Sequence, residues 1–194
     1  MLVAWLGLLL WWTAGFSAFT TFSYTLQTAG ELPRSAPSFR IRDYLGVVHD
    51  TREFSGRYVL LQFAYLNCVD VCPLTMMTFQ RAREELAGNI PPGSLVLLTV
   101  SIDPEHDVPE RLHSMWELHG RHDDWIMAAL TAPLDETTRA KLRRLGVWVS
   151  RRGDRDFNHS ATAFLIDPDG RVVQTFDGVD SNREIVAAIE DRLR

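Results

Sequence analysis

Tyr58-Val59-Leu60-Leu61-Gln62-Phe63-Ala64-Tyr65-Leu66-Asn67-Cys68-Val69-Asp70-Val71-Cys72-Pro73 is the stretch on which the reading of this chain turns. Its first eight residues are a near-continuous apolar run, the pattern of a strand covered on both faces. From Pro73 to Ala87 the pattern changes to a helical one. Phe79, Ala82 and Leu86 recur at helical spacing, Pro73 suits a first turn, and Gly88 can close the end. The 194-residue chain has 2 cysteines, and both sit where this strand would feed this helix. The carboxyl ends of strands in α/β sheets are where ligands commonly bind.

Working outward, Leu95 to Ile102 reads as a second buried strand. Asp107 and Glu110 form a capping-box pattern that predicts a helix to His119, stopped by Gly120. Asp135 to Leu145 is a further short helix before Gly146. Thr162–Asp167 and Arg171–Phe176 read as strands joined by the turn Asp167-Pro168-Asp169-Gly170, and Ser181 and Glu184 cap a C-terminal helix. Upstream, Phe39 to Asp50 is an alternating stretch broken at Asp43–Gly46, an opening β-hairpin. The succession strand–helix–strand–helix, then hairpin–helix, predicts an α/β, thioredoxin-like domain over residues 39–194 with an N-terminal β-hairpin extension.

The N-terminus reads differently. No charged side chain precedes Glu31, and Leu2 to Trp12 is almost wholly apolar. A span of about 20 helical residues crosses roughly 30 Å of hydrocarbon, so residues 1–26 are expected to form a single transmembrane helix, a membrane anchor. A cleaved signal peptide and a buried core helix are the rival readings; the first lacks a basic n-region and an A-x-A-like site. Residues 27–38, with Gly30, Pro33 and Pro37, read as a linker.

Composition narrows the function classes. A formal charge of −5 disfavours a nucleic-acid partner. Two cysteines exclude both a disulfide-rich scaffold and a four-cysteine zinc site. In Cys68-x3-Cys72 the two sulfurs fall on one face at the start of a helix, where thiol pKa is lowered. Two such sulfurs either close a disulfide or grip a soft metal ion. Thioredoxin-type oxidoreductases use Cys-x2-Cys; three intervening residues leave more room and suit a metal better. Of the 6 histidines, five lie in turns or at helix positions where a solvated surface role is the better reading. His159 is different, because it immediately precedes the Thr162 strand, whose approach runs beside the cysteine turn in this fold order. Two thiolates and a neutral imidazole make a donor set suited to copper.

At this point the residues resemble a family. Tyr65 to Thr75 looks like the copper-site motif of the Sco/SenC copper chaperones, Val100-Ser101-Ile102-Asp103-Pro104-Glu105 like the segment after its second core strand, and Asn158-His159-Ser160 with Phe164 to Gly170 like its histidine and hairpin. The resemblance implies Cys68, Cys72 and His159 as ligands of Cu(I) and Cu(II). It also implies a role in maturing the dinuclear copper centre of cytochrome c oxidase, by copper delivery or by reduction of target cysteines. The protein would then be a metallochaperone rather than an enzyme. Its partner would be the copper-centre subunit of the oxidase or another periplasmic copper protein. Val69 and Asn158 depart from the family's common Pro and Asp at those positions. Asp70 reads either as a support for the copper site or partner contact, or as a turn-stabilising residue. The alternative function is a membrane-tethered thiol–disulfide oxidoreductase without stored metal. The thioredoxin-type cis-Pro before the hairpin is missing, with Ala161 at roughly that position, which weakens it. The expected location is a bacterial inner membrane, with the soluble domain in the periplasm.

Overall fold

A computed structural model describes residues 2–12, 21–177 and 181–193. The central strand is β4 (Tyr58–Ala64), and the cysteine turn leads from it into α3 (Val71–Leu86). β5 (Leu95–Ser101), α4 (Pro109–Leu118), β6 (Trp125–Leu130) and α5 (Glu136–Leu145) follow. The chain then makes a separate two-stranded sheet from β7 (Val149–Arg151) and β8 (Phe157–His159). It closes with the hairpin β9 (Thr162–Ile166) and β10 (Arg171–Asp177) and with α6 (Asn182–Leu193). Ahead of these lie α1 (Leu2–Trp12), α2 (Thr21–Thr28), β1 (Arg34–Ser35) and the hairpin β2 (Arg40–Asp43) and β3 (Val48–Asp50).

The eight-stranded sheet has the order β1-β10-β9-β4-β5-β6-β2-β3. β4, β5 and β6 run parallel, β9 is antiparallel to β4, and the β2–β3 hairpin joins antiparallel at the β6 edge. This is the thioredoxin-like arrangement with the expected hairpin extension. The period-2 alternation of β4 divides the core into two layers. Val59, Leu61 and Phe63 face one layer with Phe39, Phe164, Leu142 and Leu145. Leu60 faces the other with Phe79, Trp125, Phe176 and Ile189. Each such side chain fully buried contributes about 1.5–3 kcal/mol of transfer free energy.

The N-terminal anchor finds no support among the described residues. No helix among the described residues is long and apolar enough to cross a membrane. Of the expected single helix over 1–26, the 11 residues of α1 and 8 residues of α2 are described as helical, and residues 13–20 lie outside the described residues. Eleven residues rise only about 16 Å. α2 belongs to the domain: its Thr25 is buried, Phe22 meets Trp148 edge-on at 5.3 Å, and Leu26 packs on the core. The stretch expected as a linker is likewise attached. β1 pairs with β10, and Arg34 donates from Nη2 to the Leu145 carbonyl, 3.0 Å away, at the end of α5. Cations are favoured at helix C-termini, which explains that placement.

The capping box at Asp107 is also not made. Val108 is the N-cap and Pro109 opens α4, with no side-chain cap. The buried Asp107 carboxylate accepts instead from Leu66 N (2.8 Å), Ser101 Oγ (2.5 Å) and Arg111 Nη1 (3.0 Å). Those three partners satisfy it better than one helix amide can. At α5 the prediction holds, since Asp135 Oδ1 accepts from Thr138 N at 2.8 Å and Gly146 closes the helix in the left-handed region.

Candidate metal centre

The pleat of β4 ends at Ala64, and the chain turns through Tyr65 to Asp70 before α3 begins. The Cys68 amide donates to Tyr65 O at 3.2 Å, so the turn is tight, and the first turn of α3 carries Cys72. Cys68 is half-buried and Cys72 buried; both are free thiols. The Cys72 amide donates to Cys68 Sγ at 3.3 Å, which sets the first sulfur at the N-terminal end of the helix.

His159 arrives from the other side, at the end of β8 and 87 residues along from Cys72. Its Nδ1 lies 2.9 Å from the Ser160 carbonyl. A carbonyl only accepts, so in the neutral imidazole Nδ1 carries the proton and Nε2 offers the lone pair. That Nε2 is 3.6 Å from Cys72 Sγ. The structure therefore brings Cys68, Cys72 and His159 together in one place.

Several groups hold this arrangement. Tyr65 donates its hydroxyl to Asp156 Oδ1 (2.9 Å) and Phe157 O (3.0 Å), and its ring meets those of Phe157 and His159 edge-on at 5.2 and 5.8 Å. It thereby ties the β7–β8 hairpin to the cysteine turn. Burial and the Asp156 carboxylate push the Tyr65 pKa up, so the hydroxyl stays a donor. Ser160 extends the hairpin, its amide donating to Trp148 O at 3.0 Å. Asp107, through Leu66 N, fixes the turn from below. Asp70 is exposed and makes no capping hydrogen bond, so the turn-stabilising reading is not what its side chain does.

The two sulfurs are electrostatically unequal. The neighbouring Cys72 side chain, followed by His159 and the amides of Cys72 and Asp70, holds the Cys68 pKa down to about 3 against partial burial. The same contact, with burial, pushes Cys72 up. A cavity of about 370 Å³, lined by Cys68, His159, Asp70, Arg152, Asn158 and Phe22 among others, opens onto the pair.

Sequence reasoning found the three central residues but missed Tyr65 and Asp107. A Tyr at the end of an apolar run was the available signal, because a buried phenol needs an acceptor. Asp107 carried a misleading one, its capping-box spacing to Glu110.

The sequence profile described as SCO1/SenC matches residues 27–194. The chain belongs to the SCO1/SenC family. Among its relatives is the Danio rerio protein named "Protein SCO2 homolog, mitochondrial", 25% identical over 162 residues, which cover 80% of this chain and 56% of that protein. The chain thus spans little more than half the length of the curated relatives it matches. In solved structures, Arabidopsis thaliana ScoI with copper bound superposes with a TM-score of 0.69 at 19% identity, over 82% of this chain and 98% of that one. BsSco, described as a member of the Sco family of cytochrome c oxidase assembly proteins with a disulfide switch, gives 0.69 at 20% identity, over 84% and 95%. At these identities the likeness to the solved structures establishes a shared SCO1/SenC fold.

Proposed function

We propose that this SCO1/SenC protein binds copper through Cys68, Cys72 and His159 and serves the maturation of the dinuclear copper centre of cytochrome c oxidase. The observation that carries this reading is the imidazole Nε2 lone pair 3.6 Å from Cys72 Sγ, fixed in that tautomer by Ser160 O. Two soft sulfurs and one imidazole suit Cu(I), and the same set takes Cu(II). Copper is cargo here. The chain's residues would hold it: Cys68, the more acidic thiol, gives its thiolate readily, Cys72 gives up its proton on binding, and Tyr65 keeps the histidine hairpin in place. The recipient is the copper-centre subunit of the oxidase or another periplasmic copper protein. In α1, Val3 is 86% and Trp5 63% exposed, which supports a lipid contact; the proposed place of work is the extracytoplasmic face of a membrane.

The unequal thiols support a second reading, reduction of a target's cysteines. Cys68 is the accessible thiolate and Cys72 the buried resolving thiol. Cys68 would attack a target disulfide, and Cys72 would displace the reduced target, closing Cys68–Cys72 as two electrons pass to it.

Anaerobic copper titration of the reduced protein, with absorption spectroscopy, separates the two. Binding at the triad with thiolate-to-Cu(II) bands that disappear in His159→Ala supports the copper site. An unchanged spectrum removes His159 from it. Absence of copper binding at the cysteines, with fast exchange against a model disulfide, leaves only the reductase.

A further inference from the structure

Of the chain's 5 methionines, Met76, Met77, Met115 and Met127 line one cavity between α3, α4 and β6. Met76 and Met77 come from α3, Met115 from α4 and Met127 from β6, with His119 at the end of α4. The cavity measures about 240 Å³, and Cys68 and Cys72 form part of its wall. We propose that it is a second site, distinct from the Cys68–Cys72–His159 triad, that binds Cu(I) through the thioethers of Met77 and Met115 and the imidazole of His119, with Met127 on the sheet side.

Methionines ordinarily fill irregular gaps in a core, because three rotatable bonds let them adapt. Here four of them surround a gap and leave it open. Their sulfurs are also not equally occupied. Met76 Sδ accepts from Gln62 Nε2 at 3.1 Å, in a small polar network with Thr99 and Trp125. Among the described residues, Met77, Met115 and Met127 have no hydrogen bond to sulfur. His119 sets its Nδ1 3.4 Å from Gln80 Oε1, and its ring lies 5.2 Å from that of Trp125. With Nδ1 donating to the amide oxygen, Nε2 is the free donor atom. Met115 and His119 are four residues apart and share a helix face.

The wall selects the ion. No carboxylate lines the cavity, and an apolar surface of this kind does not hold water well. Hard, strongly hydrated cations are therefore excluded, whereas thioether and imidazole donors suit soft Cu(I). Thioethers carry no proton, so the site needs no deprotonation to load. Burial pulls the His119 pKa down, which favours its neutral imidazole.

The site goes beyond the function proposed above and is tested apart from it. The full chain, reduced and anaerobic, is titrated with Cu(I) against a chromophoric Cu(I) chelator. Two Cu(I) per chain are expected, falling to one in the Met77→Leu/Met115→Leu variant, a nearly volume-conserving change. The Cys68→Ser/Cys72→Ser variant is expected to keep one Cu(I). In selenomethionine-labelled Cys68→Ser/Cys72→Ser protein, selenium-edge absorption should then show a copper neighbour. A Cys-to-Ser chain that takes no Cu(I), uptake unaffected by the methionine changes, or selenium without a copper neighbour overturns the proposal. Uptake by the Cys-to-Ser chain equal to that of the native one would instead remove the cysteine site and leave this one standing.

Discussion

At the scale of single residues, the site depends on groups that would never touch a metal. Tyr65 is the clearest: one hydroxyl serves Asp156 and Phe157, and one ring packs on His159. Tyr65→Phe keeps the ring and loses both hydrogen bonds. It is expected to cost about 1–2 kcal/mol in urea denaturation. It should also weaken Cu(II) more than Cu(I), since imidazole placement matters more to the former; equal weakening of both would argue against a positioning role. Cys68, Cys72 and His159 were legible in the sequence because motif spacing and strand order place them without any knowledge of packing. Tyr65 and Asp107 were not, because their partners lie at Asp156 and at Leu66 and Ser101, far along the chain or across a turn.

Among the elements, long apolar runs were the readable ones. β4, β5 and the β9–β10 hairpin sit close to their expected bounds because continuous burial or a strong turn marks them. β7 and β8 escaped notice: each has three residues, and the Arg- and Asp-rich loop between them shows no alternation. α2 was hidden because an uncharged run of Thr, Ser and Phe reads as an extension of the apolar segment before it. Its docking gives a specific expectation at Gly146, whose φ is +105°. A Cβ there would come within 2.8 Å of Leu26 Cδ1 and 3.3 Å of Arg34 Nη2. Gly146→Ala should therefore lower stability by about 1–2 kcal/mol from backbone strain alone, measured by thermal melting, and loosen α2. On the β2–β3 hairpin, His49 bridges Asp43 at 3.0 Å and Glu53 at 3.1 Å. Burial pulls its pKa down, but the two carboxylates outweigh that and hold it above the usual 6.5. The protonated form is favoured in the fold. Its stabilisation is complete below about 6.5 and is lost as pH rises through the raised value. The melting temperature of the native chain should fall more steeply through that window than that of His49→Gln, although partial exposure keeps the effect small.

For the whole molecule, the domain begins earlier than its composition suggests. A chain starting at residue 21 should melt like the full protein, whereas one starting at 33 loses α2 and should melt several degrees lower. Equal melting temperatures would show that α2 adds nothing to the fold. The division between the two sheets has a further consequence. Cys68 and Cys72 hang from β4, which has a hydrogen-bonded neighbour on either side. His159 hangs from a two-stranded ribbon outside the main sheet. Opening of the ribbon costs its own pairing, the Tyr65 hydrogen bonds and the burial of Phe157, while opening of β4 requires global unfolding. An ion held by all three side chains therefore has an exit that leaves the body of the protein folded. Were the ribbon to open first, the imidazole would go with it and the ion would be left on two sulfurs. On the proposed function, the dwell time of the cargo would then be set by the breathing of eleven residues, Val149 to His159, rather than by the stability of the whole fold.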